Sequence, residues 1–343
     1  MKVSFLITYY NQKEYVRESI QSVLKIRKDN IEWEILVGDD GSTDGTIEEI
    51  DKYVQHDPEH IKLFVMPREE GKKYFSVQRA SQNRLNLLSH ATGDLFCTLD
   101  GDDFYSDSEF LMDAIRVFEQ NPDVSIVGFG YRYYKDGTYG DSFTLPAGEN
   151  ERRVDTKAYL RAWYLHAGAC VHRKCFDNNR IEYLQRIGYF DDNNIVVNSL
   201  NYGEMFAINR VIYAYRQTGK SVYTSMNALE QAILNVQGLD VDIELVYEDG
   251  LKSILMKRYA SSLILMFIWK SQIREILGNE KCKQYEDGCY TLTSSYCYNL
   301  LKYEHLSEQQ KNTLGIELRN VISSKVFYTI KQALKYWLRE MLK

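Results

Sequence analysis

Three carboxylates are crowded into four consecutive residues, Asp100-Gly101-Asp102-Asp103. Negative charges this close repel one another and lose water on partial burial, so a bound cation would stabilise them. Oxygen ligands suit Mg²⁺ or Mn²⁺, and Mg²⁺ sites commonly combine one or two carboxylates with substrate phosphates. The spacing therefore predicts a metal site for a phosphorylated substrate. The alternative is an acidic turn that leads into a helix capped near Asp107.

A second acidic cluster occupies residues 39–44, which read Asp-Asp-Gly-Ser-Thr-Asp. Ser42, Thr43 or Asp44 can cap the following helix, whereas Asp39 and Asp40 precede that cap. Ligands of open parallel sheets bind beyond the carboxyl ends of the strands. A carboxylate at this place can accept a hydrogen bond from a nucleobase N–H or a ribose hydroxyl.

Strands are predicted immediately before both acidic clusters and at the start of the chain. Apolar runs at residues 3–7, 33–37 and 94–99 each end in polar residues. Apolar residues at helical spacing follow the first two runs, as with Ile47, Ile50 and Val54. Three strand-to-helix units therefore open the chain and favour an α/β fold, with their polar ends on the same edge of the sheet.

The order and context of these motifs resemble the family 2 glycosyltransferases with the GT-A fold. The resemblance rests on residues 7–11 (Ile-Thr-Tyr-Tyr-Asn), on residues 39–44, and on residues 91–94 followed by 99–103. It covers roughly residues 1–220. It implies a three-layer α/β/α domain with a mostly parallel central sheet, a nucleoside-diphosphate sugar donor with UDP expected, Mn²⁺ or Mg²⁺ at a DXD motif, and inversion at the anomeric carbon.

The resemblance also implies roles for individual residues. Asp40 would receive the base, with Asp39 beside it in the donor site, and Asp100 would lie near the ribose or the metal. The metal and diphosphate site would comprise Asp102 and Asp103. The base pocket would be lined by Thr8 and Tyr10, for which a strand-end hydroxyl and a half-exposed aromatic ring are the alternatives.

An inverting transfer needs a general base that takes the proton of the acceptor hydroxyl. The segment around Asp191 and Asp192 resembles the family's pair of acids before a helix, with Gly203 following Asp192 by eleven residues. This resemblance implies that Asp192 is the base and that Asp191 is its cap or orienting partner. The simpler alternative for Asp191 is a helix cap alone.

Two histidines and several cations remain candidates for acceptor or phosphate contacts, and ordinary structural or solvated roles are the alternatives. They are His166, His172, Lys72, Lys73, Arg79, Arg216 and Lys220.

Global properties limit the range of functions. The formal charge of -6 argues against general nucleic-acid binding. The six cysteines show neither zinc-type spacing nor disulfide density, so reduced thiols are expected. The early apolar run is short and does not predict a cleavable signal peptide, which makes the cytoplasm the expected location.

The chain is expected to form two units, a catalytic domain at residues 1–221 and a helical region at 222–343. Long helical patterns occur at residues 251–276 and 318–342. The last of these is amphipathic with basic flanks. Packing on the catalytic domain or in a homodimer is one interpretation, and peripheral docking at the inner face of the membrane is the other.

The sequence thus predicts a hexosyltransferase of polysaccharide or glycoconjugate synthesis, with a saccharide or lipid-linked saccharide as acceptor. A sugar-nucleotide nucleotidyltransferase is an alternative, but it would carry a glycine-rich loop after the first strand, and residues 8–11 are not one. A carbohydrate-binding protein on a degenerate transferase fold is a third interpretation, which the retained acids disfavour.

Overall fold

Four parallel strands form the first half of the central sheet, in the spatial order β3-β2-β1-β4. Parallel neighbours need crossover connections, and helices provide them here. The elements are β1 (Lys2–Tyr9), α1 (Lys13–Leu24), β2 (Glu32–Asp39), α2 (Thr46–His56), β3 (Ile61–Val65), α3 (Ser76–His90) and β4 (Leu95–Asp100). The strands predicted at residues 3–7, 33–37 and 94–99 and the helices predicted after the first two are confirmed, and β3 with α3 is a further unit that was not predicted from the sequence.

The second half of the sheet is mixed. It continues from β4 in the order β9-β6-β10-β5, with β9 antiparallel to both neighbours and β10 parallel to β6. Two further strands lie off this path, β7 against β6 and β8 against β10. The elements are β5 (Phe104–Tyr105), α4 (Phe110–Gln120), β6 (Val124–Lys135), β7 (Thr138–Phe143), β8 (Glu151–Val154), α5 (Thr156–Ala162), a 3₁₀ turn (Ala167–Ala169), β9 (Cys170–Arg173), α6 (Asn178–Ile187), α7 (Asp192–Leu200) and β10 (Glu204–Arg216).

Helices cover both faces of the sheet. Val37 of β2 is part of one buried apolar cluster that also contains Ile20 of α1 and Ile50 of α2. Because side chains alternate along a strand, the next residue, Gly38, faces the other way. There Leu87 of α3 lies 3.1 Å from the place that a Cβ of Gly38 would take. The predicted three-layer α/β/α architecture is confirmed.

The carboxyl ends of β1, β2 and β4 meet at one edge of the sheet. In register, Tyr9 of β1 pairs with Asp39 of β2, and Thr8 of β1 pairs with Asp100 of β4. The turn after β4 is fixed to β1, since the N–H of Gly101 donates to the carbonyl of Thr8 at 2.8 Å. A side chain at residue 101 would collide with the Tyr9 ring, so only glycine fits there.

The structure is a computed structural model that describes residues 1–69, 76–162, 165–187, 190–219, 228–248, 250–252, 254–255 and 258. The chain divides into two compact units, Met1–Val222 and Tyr223–Lys343. In the second unit one helix is described, α8 (Ala228–Leu245). The helix expected at 318–342 and nearly all of the one expected at 251–276 lie outside the described residues. Within the described ranges, no helix combines the length and apolarity needed to cross a membrane.

Candidate active site

The acidic turn after β4 buries the last of its three carboxylates. Asp103 is 2 % exposed. Its Oδ2 accepts a hydrogen bond from the Tyr213 hydroxyl at 2.6 Å, and its Oδ1 accepts one from the backbone N–H of Arg216 at 2.7 Å. Burial, together with repulsion from Asp102 and Asp100, raises the pKa of Asp103 well above its usual value. The carboxylate therefore ties the turn to β10.

Asp102 is the acid of the turn that is best suited to a metal ion. Burial and repulsion from Asp100 raise its pKa to about 6, although Arg216 and Gln12 act against this shift. The charges of the protein therefore leave this carboxylate incompletely neutralised, which suits an added cation. Among the described residues, no group of three or more His, Cys, Asp or Glu side chains could hold a metal ion by itself. A metal ion at Asp102 would take its remaining ligands from phosphate oxygens and water.

Arg84 of α3 connects the acidic turn to the start of α7. Its guanidinium Nη2 lies 2.8 Å from Asp100 Oδ1 and 3.7 Å from Asp192 Oδ1. The Thr8 hydroxyl donates to the same Asp100 oxygen at 3.3 Å. Burial opposes the charge of Arg84, but the two carboxylates outweigh it and raise the pKa of the guanidinium. Acids far apart in the sequence are thereby brought to one place.

His166 contacts the other oxygen of Asp192, with 3.2 Å between Nε2 and Oδ2. The Nδ1 of the same ring accepts a hydrogen bond from the N–H of Gly168 at 3.1 Å, so in the neutral ring Nε2 carries the proton and donates to Asp192. Burial acts to raise the pKa of Asp192, yet His166 and Arg84 outweigh it and lower this pKa. The Asp192 side chain keeps 37 % of its surface exposed. An ionised, partly accessible carboxylate results.

Asp191 caps α7, as one of the two sequence interpretations proposed. Its Oδ1 accepts from the N–H of Asn194 at 3.1 Å, and the side-chain oxygen of Asn194 accepts from the N–H of Asp191 at 3.1 Å. This reciprocal capping box fixes the first turn of the helix. Asp192 is the first residue of α7, where the positive end of the helix dipole favours a carboxylate.

The second acidic cluster presents Asp40 between two arginines. Asp40 is 5 % exposed, and Arg79 Nε lies 2.5 Å from its Oδ1. Arg68 pairs with Oδ2 and donates from Nε to the Asp40 carbonyl at 2.7 Å. The Arg68 guanidinium also lies 3.8 Å from the centroid of the Tyr10 ring, which is 43 % exposed. An aromatic ring and a buried carboxylate held by two arginines therefore lie side by side at the ends of β1 and β2.

Asp39 is bonded within its own loop, and its place in the donor site stays a prediction. It is fully buried, and its two oxygens accept hydrogen bonds from the N–H of Ser42 at 2.7 Å and from the Ser42 hydroxyl at 2.6 Å. Burial raises its pKa despite these bonds. Because side chains alternate along a strand, the two neighbours point in opposite directions. Asp39 holds the loop at Ser42, and Asp40 lies with Arg68 and Arg79 beside Tyr10.

The other histidine and cation candidates lie in different places. Arg216 lies at the acidic turn, where its Nε donates to the Asp102 carbonyl at 2.6 Å. His172 is fully buried, bonded to Ser199 and stacked on Phe96, and burial lowers its pKa to about 4, so it is a core residue and not a ligand contact. Lys72, Lys73 and Lys220 lie outside the described residues.

Sequence reasoning missed Arg84 and Arg68. Arg84 lies in the helix that leads into β4, and Arg68 follows β3. The available signal was electrostatic, since buried acids need counter-charges, and the helix before β4 carries two arginines, Arg79 and Arg84. The spacing of residues alone does not predict which arginine pairs with which acid.

An α/β sheet that gathers acids and arginines in this way at its strand ends is the architecture of a GT-A-type glycosyltransferase. Residues 4–212 match the model of Glycosyl transferase family 2, and the chain belongs to that family. This membership favours the transferase interpretation over the nucleotidyltransferase one.

Two curated relatives match over less than half of the chain. EpsE of Bacillus subtilis, whose name describes it as a glycosyltransferase, is 34 % identical over 151 residues, which are 43 % of this chain and 49 % of EpsE. TuaG of the same organism, named for teichuronic acid biosynthesis, is 28 % identical over 141 residues, 41 % of this chain and 51 % of TuaG. The chain spans about half the length of these two relatives.

Solved structures share the fold. TarS 1-349 of S. aureus in complex with UDP-GlcNAc superposes with a TM-score of 0.54 at 16 % identity, covering 82 % of this chain and 77 % of that one. The same protein in complex with UDP gives a TM-score of 0.55 at 14 % identity, covering 98 % and 92 %. At such low identity the likeness establishes the fold alone.

Proposed function

We propose that the protein is an inverting, metal-assisted glycosyltransferase that moves a sugar from a nucleoside-diphosphate donor to a hydroxyl of a saccharide or lipid-linked saccharide. The observation that carries the proposal is the position of Arg84, which contacts Asp100 and Asp192 at the same time. A donor held at Asp100 would lie within reach of a base at Asp192. This proximity is what a single displacement at the anomeric carbon requires.

The base end of the donor would bind at Thr8, Tyr10 and Asp40. The Tyr10 ring, which is 43 % exposed, offers a stacking surface for the base, and Asp40 with its two arginines lies beside it. We favour UDP as the nucleotide. The binding of UDP and UDP-GlcNAc by TarS, a protein of the same fold, supports this choice.

The diphosphate end would bind at the acidic turn. We assign Mn²⁺ or Mg²⁺ to Asp102, while Asp103 acts through its bonds to Tyr213 and Arg216 by fixing the turn that presents Asp102. Such an ion, when bound, stabilises negative charge on the departing diphosphate as a Lewis acid. Asp100 would orient the ribose next to Thr8 and Arg84.

Asp192 would accept the proton of the acceptor hydroxyl as the new bond to the anomeric carbon forms and the bond to the diphosphate oxygen breaks. A carboxylate whose pKa is lowered is a weak base, and it is always ionised at neutral pH. A weak base suffices because the hydroxyl becomes acidic only as its oxygen bonds to an oxocarbenium-like carbon. The donor N–H of His166 keeps the carboxylate oriented for this step.

The cellular role would be polysaccharide or glycoconjugate synthesis. The name of TuaG, a relative over 41 % of the chain, supports this assignment. The cytoplasmic location, a homodimer and peripheral membrane docking through the last helix stay predictions.

The deciding experiment is a screen of nucleotide sugars for Mn²⁺-dependent hydrolysis and thermal stabilisation, followed by three asparagine variants. Asp192→Asn should abolish transfer and spare donor binding. Asp191→Asn should keep both, because asparagine caps a helix as well as aspartate does. Asp102→Asn should weaken only the metal-dependent part of donor binding. Normal transfer by Asp192→Asn would remove the base assignment, and loss confined to Asp191→Asn would move it to the neighbouring residue.

A further inference from the structure

A row of aromatic rings leads from the candidate base to the edge of the sheet. His166 lies 5.6 Å from Tyr131 and 5.4 Å from Tyr215, measured between ring centroids. Tyr131 stacks on Phe143 at 4.8 Å, and Tyr133 contacts Phe143 at 5.1 Å and Tyr215 at 5.8 Å. We call the rings of Tyr131, Tyr133, Phe143 and Tyr215 the aromatic face.

An irregularity in the β6–β7 hairpin separates this face from a second set of rings. Tyr131 pairs with Phe143, but the register shifts before Tyr134, which pairs with Tyr139. Paired residues share a face, and residues an odd number apart along β6 lie on opposite faces. Tyr139 therefore packs with Tyr134 and Arg132 on the other side of the hairpin.

The aromatic face is accessible and uncharged. Phe143 keeps 40 % of its surface exposed, although Tyr131 covers one side of its ring. Tyr131, Tyr133 and Tyr215 are partly exposed. Burial and the neighbouring Tyr133 raise the pKa of Tyr131 to about 12, so its hydroxyl stays protonated and can donate a hydrogen bond. Rings with polar tips suit a ligand that is apolar on one side and hydroxylated at its rim.

We propose that the aromatic face is a second acceptor subsite, which binds the sugar unit next to the one that receives the transferred residue. The proposal rests on the proposed function, because the face begins at His166, and His166 contacts Asp192. A pyranose presents C–H groups on its ring face and hydroxyls around its rim, which matches this surface. The acceptor would then be a neutral oligosaccharide chain and not a single sugar.

The test is the dependence of acceptor binding on chain length. The probes are glucose and N-acetylglucosamine oligosaccharides of one to six units, in α and β linkages, titrated calorimetrically against the full chain. In the series whose sugar and linkage fit the aromatic face, the affinity of wild type should rise as the chain lengthens from one unit to two or three. Phe143→Ala should lower the affinity for the longer chains roughly tenfold and so remove this gain. Tyr139→Ala, an equally exposed ring on the same strand but the opposite face, should keep it.

The outcomes separate this proposal from the proposed function. Three results would overturn the subsite while Mn²⁺-dependent donor hydrolysis still stands. They are equal affinity for one unit and for longer chains, equal loss of affinity in Phe143→Ala and Tyr139→Ala, and no binding of any probe. A changed sedimentation coefficient or lost binding to anionic vesicles in Phe143→Ala, without a change in sugar affinity, would likewise overturn it in favour of a protein or lipid contact. Absent donor binding would instead count against the transferase site itself.

Discussion

His166 donates from Nε2 to Asp192 Oδ2 over 3.2 Å, while its Nδ1 accepts the N–H of Gly168. Burial lowers the pKa of His166, but the charge of Asp192 outweighs it and the pKa is raised. The ring can therefore take a second proton at Nδ1 at a higher pH than an ordinary histidine does. Protonation would break the bond to Gly168 and place a full positive charge beside the candidate base.

This pair predicts the acid limb of the pH–rate profile. As pH falls through the raised pKa of His166, the imidazolium makes Asp192 a poorer proton acceptor, so kcat should fall. His166→Gln keeps a hydrogen-bond donor and removes the titration. We expect its acid limb to move to lower pH, with kcat at the optimum reduced about tenfold. Profiles measured at saturating donor check this, and superimposable acid limbs for the two proteins would contradict it.

The His166–Asp192 pair also predicts how stability depends on pH: the contribution of His166 should be larger at low pH, where kcat falls. A histidine with a raised folded-state pKa contributes stability that is fully present below its unfolded pKa of about 6.5 and is lost as pH rises through the folded value. His166→Gln should therefore lower the melting temperature more at about pH 5.5 than at about pH 8.5. Differential scanning calorimetry at both pH values measures this, and a larger loss on the alkaline side would show that the charge of His166 does not stabilise the fold.

Arg84 should matter to both halves of the reaction. Arg84→Met removes the cation that separates Asp100 from Asp192, so the two acids repel and the pKa of Asp192 rises. We expect kcat to fall and the KM for the donor to rise, each by about tenfold or more. Arg116→Met is the matched control, because Arg116 makes a comparable pair with Asp113 at 2.8 Å but is 59 % exposed. A control-like result for Arg84→Met would mean that its contacts are only structural.

The sequence allowed the strand-to-helix units to be predicted because their signals are local. Apolar runs, caps and glycines sit within a few residues of the elements that they define, as with Asp191 and α7. The convergence of Asp100 and Asp192 on Arg84 depends on strand order and helix placement, which no local pattern encodes. The different partners of Asp39 and Asp40 depend on what packs against each face at the end of β2, and alternation alone does not tell which of two adjacent identical residues meets which partner.

Asp39 and Asp40 offer a direct contrast between neighbours of the same type. Asp39→Asn weakens the two bonds that this buried side chain accepts from Ser42, so it should lower the free energy of unfolding by about 1–3 kcal/mol. Asp40→Asn should instead weaken nucleotide binding, since Arg68 and Arg79 lose the carboxylate that holds them beside Tyr10. Urea unfolding and calorimetric titration with UDP measure both quantities for both variants. Reversed effects would assign nucleotide binding to Asp39.

Gly203 connects α7 to β10, and it should not tolerate a side chain. A Cβ at this position would lie 2.9 Å from the backbone nitrogen of Ser125 and closer still to the carbonyl of Asp123, which already accepts the N–H of Glu204. Neither backbone group can move without disturbing the start of β6 or β10. Gly203→Ala should therefore cost about 1–3 kcal/mol of unfolding free energy.

The control for Gly203→Ala is Gly140→Ala on the exposed strand β7, where the nearest atom to a new Cβ is Tyr133 Cβ at 3.4 Å, an ordinary contact. Displacement of the end of α7 would also move its first residue, Asp192, so we expect kcat to fall in Gly203→Ala more than the loss of folded protein explains. A 1 Å misplacement of a reacting group can cost about a hundredfold in rate. Activity per folded molecule, with the folded fraction taken from urea unfolding, separates the two effects, and equal behaviour of both alanine variants would contradict the close approach.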